Sequence, residues 1–369
     1  MFWMIVFGGL ILLGLASVFY LLTRFHRFAL FQRIGERHRR LSWLAAAVPV
    51  AALAGFAVFN VSTVIVVLIH LMILWMLCDL IGGIIRKIIK KPRGQRYPEG
   101  VFAILLTAGV LCAGWYFAHH IYETDYRLTT EKELPGGSLR VVLIADSHLG
   151  ITLNGESFAA QMERIQAVKP DMVVLAGDFV DDESERGDME RAAEALGSLQ
   201  TTYGVYYAHG NHDRGYYGSR KFSLRDVSET LKRYGVTVLE DETALAGGVL
   251  NVVGRLDKSF ADRNPAEKLT EGLDLTKYTV CIDHQPNDYD AEAAAGCDLV
   301  LSGHTHGGHI FPAGYIGLWA GMNDFVYGHD RRGQTDFIVT SGISGWAIPF
   351  KTGAVSEFCV VDIAQTPKP

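Results

Sequence analysis

The stretch Gly303-His304-Thr305-His306-Gly307-Gly308-His309-Ile310 places three histidines within six residues, with glycines before and between them. Imidazole is the commonest metal ligand among side chains. Glycine lets backbone approach an ion where a Cβ would clash. The same kind of residue recurs at the ends of other apolar runs. "LRVVLIADSH" ends on Asp146 and His148, and "DMVVLAGDFVDD" carries Asp178 and Asp181. "GVYYAHGNHD" ends on Asn211, His212 and Asp213; "YTVCIDHQP" carries His284; "DLVLSGHTHGG" supplies His304 and His306. One apolar run ending in Asp or His is common. Five in one region point to a metal site.

The donors are carboxylate, imidazole and amide oxygen. That mixture suits Mn, Fe or Zn and disfavours a purely thiolate or all-oxygen site. They are too many for one ion. Two divalent ions sharing a carboxylate accommodate them, and ions about 3.5–4 Å apart can hold one hydroxide and polarise a phosphoryl oxygen together.

The elements that must position these residues are legible in pattern. From Leu139 onward, short β-rich runs end in glycine-containing turns. Helical patterns at 157–168, 189–199 and 223–234 separate the early ones. Strand–helix alternation with polar residues at strand ends reads as an α/β fold with its site along one sheet edge. The late runs "FIVTSGIS" and "AVSEFCVVDI" lack intervening helices and point to a second sheet, hence a sandwich.

In chain order, DxH (Asp146 to His148), GDxxD (Gly177 to Asp181), GNHD (Gly210 to Asp213), a lone His284 and GHTH (Gly303 to His306) resemble the calcineurin-like metallophosphoesterases. The resemblance runs from about Leu139 to Ile363. "TSGISGWAIPFKTG" and the GHTHGG form look similar to the membrane-anchored bacterial branch. It implies an αββα sandwich of two mixed sheets flanked by helices. It implies one metal on Asp146, His148 and His306, another on Asn211, His284 and His304, and Asp178 bridging them. His212 would assist the leaving oxygen, Asp213 would orient His212, and Asp181 would support the bridging turn. Asn211 would be an ordinary turn residue outside this motif.

Some residues leave alternatives open. His309 departs from the family, which often has Gln there; it is either a group beside the substrate or ligands, or a solvated loop residue. His209 reads as a satisfied strand-end histidine. Asp182, Glu183 and Glu185 read as a solvated loop. The aromatic-rich 311–328 segment is either ordinary packing or a lip touching lipid or an apolar part of the substrate.

Hydropathy divides the chain. Mean hydropathy is +0.17, and the excess sits in four apolar runs at about 1–22, 43–59, 61–85 and 101–118. Each approaches the roughly 20 residues that a membrane-spanning helix needs. The first positive charge, Arg24, follows the first run, which argues against a cleaved signal peptide. Asn60-Val61-Ser62 reads as a tight turn. Asp79 and His70 are ionisable residues at membrane depth, read either as relay groups or as locally satisfied ones. His119 and His120 read as interfacial.

Charge follows the same division. Residues 1–125 carry a net +7 and the remainder −13. The basic loops "RFHRFALFQRIGERHRR" and "RKIIKKPRGQR" predict a cytoplasmic side for both, and so an extracytoplasmic globular domain. The acidic balance argues against a nucleic-acid partner. Five cysteines without a CxxC spacing give no disulfide framework, with Cys281–Cys297 the pairing left open.

The expectation is a transmembrane region at 1–122, a linker at 123–138 and a metallophosphoesterase domain at 139–369. The chain reads as a multi-pass cell-membrane enzyme with two divalent ions. It would hydrolyse a phosphodiester or phosphomonoester of the cell envelope, with lipid-linked esters and a mild diester preference foremost. The rivals are a non-catalytic metal-binding sensor, a transporter with an accessory domain, and a different metallohydrolase such as an amidase.

Overall fold

The structure is a computed structural model that describes residues 2–90, 92, 94 and 96–366. Lys91, Arg93 and Gln95 of the second basic loop lie outside the described residues. The chain divides into two compact units, Met1–Ala113 and Gly114–Pro369.

The first unit is helical: α1 (Phe2–Phe25), α2 (Ala29–Arg37), α3 (Arg39–Gly55), α4 (Val61–Ile88) and most of α5 (Pro98–His119). The spans Met4–Phe25, Arg39–Val58, Val61–Ile88 and Pro98–His119 are long and apolar enough to cross a membrane. They coincide with the four apolar runs. Leu21, Ala46, Val50, Leu68 and Trp75 pack inside the unit. The first basic loop is not irregular: it folds as α2, and Phe31 packs against the helical core. Asn60 is not in a tight turn. It caps α4, its Oδ1 accepting the Thr63 N–H at 2.8 Å. Asp79 is satisfied locally, accepting from Tyr97 Oη at 2.6 Å and pairing with Arg24 and Arg27. His70 bonds Val66 O on its own helix at 2.8 Å.

The second unit opens with the last residues of α5 and carries two six-stranded sheets. The strands are β1 (Ile121–Thr130), β2 (Ser138–Ile144), β3 (Met172–Ala176), β4 (Val205–Ala208), β5 (Thr237–Val238), β6 (Glu242–Ala246), β7 (Leu250–Gly254), β8 (Tyr278–Ile282), β9 (Leu299–Ser302), β10 (Gly328–Arg332), β11 (Thr335–Val339) and β12 (Ser356–Gln365). The sheet orders are β1-β12-β2-β3-β4-β5 and β10-β11-β9-β8-β7-β6. Both are mixed: β2 to β5 run parallel with β12 antiparallel to β2, and β7, β8, β9 and β11 run parallel with β6 and β10 antiparallel.

Alternation along strands builds the layers. Val141 and Leu143 of β2 meet Leu250, Val280 and Leu301 between the sheets. Val142 and Ile144 face the other way, onto α6 (Gly155–Ala167) and α7 (Arg186–Gly197) through Phe158, Met162 and Leu196. Helix α8 (Tyr289–Ala294) covers the second sheet, where Tyr289 stacks on Phe337 at 3.8 Å. This is the αββα sandwich that the motifs imply.

Two assignments differ. Residues 123–138 include most of β1, which pairs with β12 along ten residues instead of forming a linker. Strand β12 does not join the second sheet with β11. It returns to the first, between β1 and β2, where its alternate apolar residues Phe358 and Val360 meet the helix-side core. All five cysteines are free thiols, with Cys281 and Cys297 buried.

Candidate metal centre

Every motif residue follows the C-terminal end of a parallel strand, the edge where open α/β sheets place their sites. Asp146 and His148 follow β2, Asp178 follows β3, and Asn211, His212 and Asp213 follow β4. His284 follows β8, and His304 and His306 follow β9. The turns are tight enough to force unusual backbone. Asp146 (φ 55°), His148 (36°), Asp178 (51°), His304 (69°) and His306 (49°) all occupy the left-handed region. Such conformations in non-glycine residues cost of order 1–3 kcal/mol each and cluster at functional sites. Gly210 and Gly303 allow the close approach: a Cβ on Gly210 would run into the Asp178 carboxylate, and one on Gly303 would lie 2.6 Å from Asp146 Oδ2.

Among the described residues the donors converge in three groups, of which His148, Asp181 and His212 make one and the other two consist only of expected ligands. Of those two, Asp146, His148 and His306 form one, with His306 Nε2 3.1 Å from His148 Nε2 and 3.9 Å from Asp146 Oδ1. Asp178, His284 and His304 form the other, with His284 Nε2 3.1 Å from Asp178 Oδ2. The same Asp178 oxygen lies 3.6 Å from His148 Nε2, so this carboxylate stands between these two groups. Its other oxygen accepts the His212 backbone N–H at 2.8 Å. Asn211 is buried; its Nδ2 donates to Tyr216 Oη at 3.0 Å, which leaves Oδ1 buried and unpartnered.

Tautomers test whether this set fits cations. His284 Nδ1 lies 2.8 Å from Ala176 O, and a carbonyl only accepts, so Nδ1 carries the proton. Nε2 then faces Asp178, whose charge, against burial, raises the ring well above the usual imidazole range; a cation held there would replace that second proton. His148 repeats the logic: Nδ1 donates to Asp181 Oδ2 at 2.8 Å, and Nε2 faces His306 and Asp178. Metal-binding histidines characteristically donate their second nitrogen to a carbonyl or carboxylate. The residues fit two cations.

Burial and mutual charge set the titration of the cluster. Burial would raise Asp178, but His284, His212 and His148 hold it well below the usual carboxylate range. Burial pushes Asp146 up, against the pull of His284. Burial, with His284 nearby, drives His304 down to about 4. Burial also lowers His212, yet Asp178 and Asp181 prevail and its pKa is pushed up to about 9. Divalent charge would favour ionised carboxylates and neutral imidazoles here.

Two roles differ from expectation. Asp213 does not bond the His212 ring. Its carboxylate accepts backbone N–H groups of Gly210 (2.7 Å), Asp178 (2.9 Å) and Val180 (3.1 Å), tying two motif loops together. Asp181 reaches His212 instead, with Oδ1 3.2 Å from Nδ1, while its Oδ2 holds His148. Asp182 is buried, not solvated, and accepts the Tyr216 and Tyr217 N–H groups at 3.0 Å. His309 is likewise buried, stacked on His306 at 5.4 Å between centroids, with Nε2 unpartnered. His209 is satisfied by Tyr207 Oη at 3.1 Å and Glu240 Oε1 at 2.7 Å.

Sequence reasoning missed two neighbours. Trp346 lies 5.4 Å from the His212 ring. Lys351 is fully buried, and its Nζ donates to Ser341 O, Gly342 O and Val355 O at 2.7, 3.2 and 3.2 Å. Only its isolation as a lysine in an apolar run marked it.

An αββα sandwich with two donor groups around one carboxylate, at the C-terminal strand edge, defines a metallophosphoesterase-type centre. The family model described as calcineurin-like phosphoesterase matches residues 139–308, and the chain belongs to that family. It is 31% identical over 196 residues to an uncharacterized metallophosphoesterase of Aquifex aeolicus, covering 52% of this chain and 71% of that one. One from Campylobacter jejuni is 29% identical over 230 residues, covering 61% of this chain and 59% of its own. A transmembrane protein with metallophosphoesterase domain from Danio rerio is 28% identical over 288 residues, covering 73% and 63%. The chain spans about three-fifths of the length of the first curated relatives it matches. Family and donor set support a metal-dependent phosphoesterase, and the four apolar helices with a transmembrane relative support a membrane protein.

Proposed function

We propose that the protein is a membrane-anchored phosphoesterase dependent on two divalent ions, with Mn, Fe or Zn the fitting metals. Asp146, His148 and His306 would hold one, and Asn211, His284 and His304 the other, with Asp178 shared. Bound ions would supply positive charge to the phosphoryl oxygens and activate the attacking water. The chain's own residues do the rest. Asp181 holds His148 and His212 at their Nδ1 atoms, which leaves His212 Nε2 to give a proton to the departing oxygen. Asp213 fixes the loops bearing Asp178 and Asn211. Trp346 walls the His212 side.

The observation that carries this reading is that His148 and His284 commit Nδ1 to Asp181 Oδ2 and Ala176 O, and so turn Nε2 toward Asp178, at 3.6 and 3.1 Å. The substrate class follows from the setting. Basic loops beside the apolar helices favour an extracytoplasmic catalytic domain, within reach of lipid-linked or other envelope phosphoesters. A diester is preferred over a monoester. The domain bounds proposed are a helical membrane region and a catalytic domain whose first sheet begins with β1 at Ile121, with no nucleic-acid partner.

The test uses the full chain in detergent, stripped of metal and reloaded separately with Mn, Zn, Fe or Mg. Turnover of bis-p-nitrophenyl phosphate and p-nitrophenyl phosphate is followed, with Asp178→Asn as the blank. Metal-dependent turnover lost in Asp178→Asn is expected. Two ions bound per chain with no turnover on either ester would favour the metal-sensor reading instead.

A further inference from the structure

Between His309 and Asp324 the chain carries no charged residue: Ile310 to Asn323 reads IFPAGYIGLWAGMN, inside a region whose net charge is −13. Its large side chains are not packed away. Phe311 is 63% exposed and Trp319 is 69% exposed. Tyr315 lies between them, 6.5 Å from Phe311 and 6.3 Å from Trp319 by ring centroids. The segment is held in place by the metal-site loop. Tyr315 lies against Gly308, where an added Cβ would come within 3.0 Å of its ring, and Gly314 N donates to Ile310 O at 3.0 Å.

What covers this aromatic row is indicated by the strap beside it. Thr352 N and Gly353 N both donate to His309 O at 2.9 Å, and Phe311 N donates to Thr352 Oγ1 at 3.3 Å. The strap is bonded in turn to the end of α5. Lys351 N donates to Gly114 O at 2.9 Å, and a Cβ on Gly114 would meet Lys351 O at 2.9 Å and Thr352 Cγ2 at 3.1 Å. Ser356 Oγ donates to Ala118 O at 2.9 Å. Helix α5 is long and apolar enough to span a membrane. With a rise of 1.5 Å per residue, Gly114 sits only about 7.5 Å along the helix from its end at His119. Trp115 and Tyr116, exposed by 54% and 48%, ring that same end. Exposed Trp and Tyr at the end of a spanning helix mark the membrane–water interface. One strap of three residues therefore ties the uncharged segment to interfacial depth.

We infer that residues 310–322 form an interfacial lip that inserts Phe311, Tyr315 and Trp319 into the bilayer crossed by the chain's own helices. The mouth of the metal centre then opens at headgroup depth, and a phosphoester carried by a membrane lipid enters without leaving the bilayer. The lip stands on geometry and sequence; its consequence for the substrate rests on the phosphoesterase reading.

The test places the full chain in nanodiscs made with ordinary or acyl-brominated phosphatidylcholine. Bromine quenches tryptophan on contact, and the difference between wild type and Trp319→Phe isolates Trp319. Its emission is expected to fall by about half or more in brominated discs, and soluble iodide is expected to leave it largely unquenched. Phe311→Ser/Trp319→Ser is expected to hydrolyse bis-p-nitrophenyl phosphate in detergent as wild type does, which shows an intact site. Equal Trp319 emission in the two kinds of disc overturns the lip. Quenching without hydrolysis of either nitrophenyl ester keeps the lip and removes the phosphoesterase reading, so the two failures are distinct.

Discussion

His284 Nε2 lies 3.1 Å from Asp178 Oδ2, and His284 Nδ1 is committed to Ala176 O. Against burial, the charge of Asp178 raises His284 well above the usual imidazole range, so a proton occupies the place that a cation would take, at a donor set that only the fold assembles. Metal should therefore bind the folded chain far better than the unfolded one. Ligand at 100 times its Kd stabilises a protein by about 2.7 kcal/mol. Melting of the metal-stripped protein in detergent, with and without Mn or Zn, should show a higher transition temperature for the loaded form. A transition indifferent to metal would sink the donor assignment.

Asp178→Asn follows from the same geometry. The amide oxygen can keep the 2.8 Å bond from the His212 N–H, so the loop should stay folded. The shared negative charge is lost. Bound metal measured by elemental analysis should drop from two ions toward one or fewer per chain, and turnover should fall about 100-fold or more. Full metal content in this variant would contradict Asp178 as the shared ligand.

Asp181 and Asp213 should separate cleanly. Asp213 accepts three backbone N–H groups and touches no imidazole in the site. Each buried donor left without a partner costs about 1–3 kcal/mol, so Asp213→Ala should lower the unfolding free energy by several kcal/mol. Asp181→Asn should leave stability nearer wild type. It should weaken metal affinity through His148 and turnover through His212, by roughly 10–100-fold. Denaturant titration and kinetics on the two variants decide. A fully stable Asp213→Ala would refute its structural role.

The contrast between those aspartates shows where sequence stopped being informative. The ligands were legible because each sits where an apolar run ends, and strand ends gather on one sheet edge. Even the isolated His284 could be placed by its order in the chain. Which carboxylate reaches His212 was not legible: Asp181 comes from the loop after another strand, and its approach depends on how β3 and β4 pair. Lys351 binds only carbonyl oxygens, and a carbonyl leaves no mark in sequence. Strand β1 reads IYETDYRLTT, and as an edge strand its side chains are mostly half-buried or exposed, so its pattern resembles a polar connector. Its partner β12 reads as a strand of the second sheet because local pattern fixes strand existence and leaves partnership to the fold.

Glu240 gives a pH test away from the donors. Its hydrogen bond from His209, against burial, brings its pKa down to about 2 from an ordinary 4.5. A carboxylate depressed in the fold contributes stability that is present above its unfolded value and is lost as pH falls from about 4.5 toward 2. Wild type should therefore lose stability over that window more steeply than Glu240→Gln. Exposure of the carboxylate keeps the difference small. Identical acid-unfolding curves would show that the pair contributes nothing.

Lys351 carries the last prediction. Its ammonium gathers Ser341 O, Gly342 O and Val355 O, with no carboxylate among its hydrogen-bond partners. Gly342 presses on Asp146: a Cβ there would lie 2.7 Å from Asp146 Cβ. The ammonium thus pins the backbone against which the first donor group rests. Lys351→Met preserves length and apolar packing but strands three buried carbonyls. It should cost about 2–4 kcal/mol of stability, and it should weaken metal binding because Asp146 loses its backing. Lys351→Arg would not restore either property, since a planar guanidinium cannot spread its donors over three converging carbonyls in the same volume. Calorimetry and metal titration on both variants test this. Wild-type metal affinity in a destabilised Lys351→Met would confine the lysine to holding the loop, with no bearing on the donors.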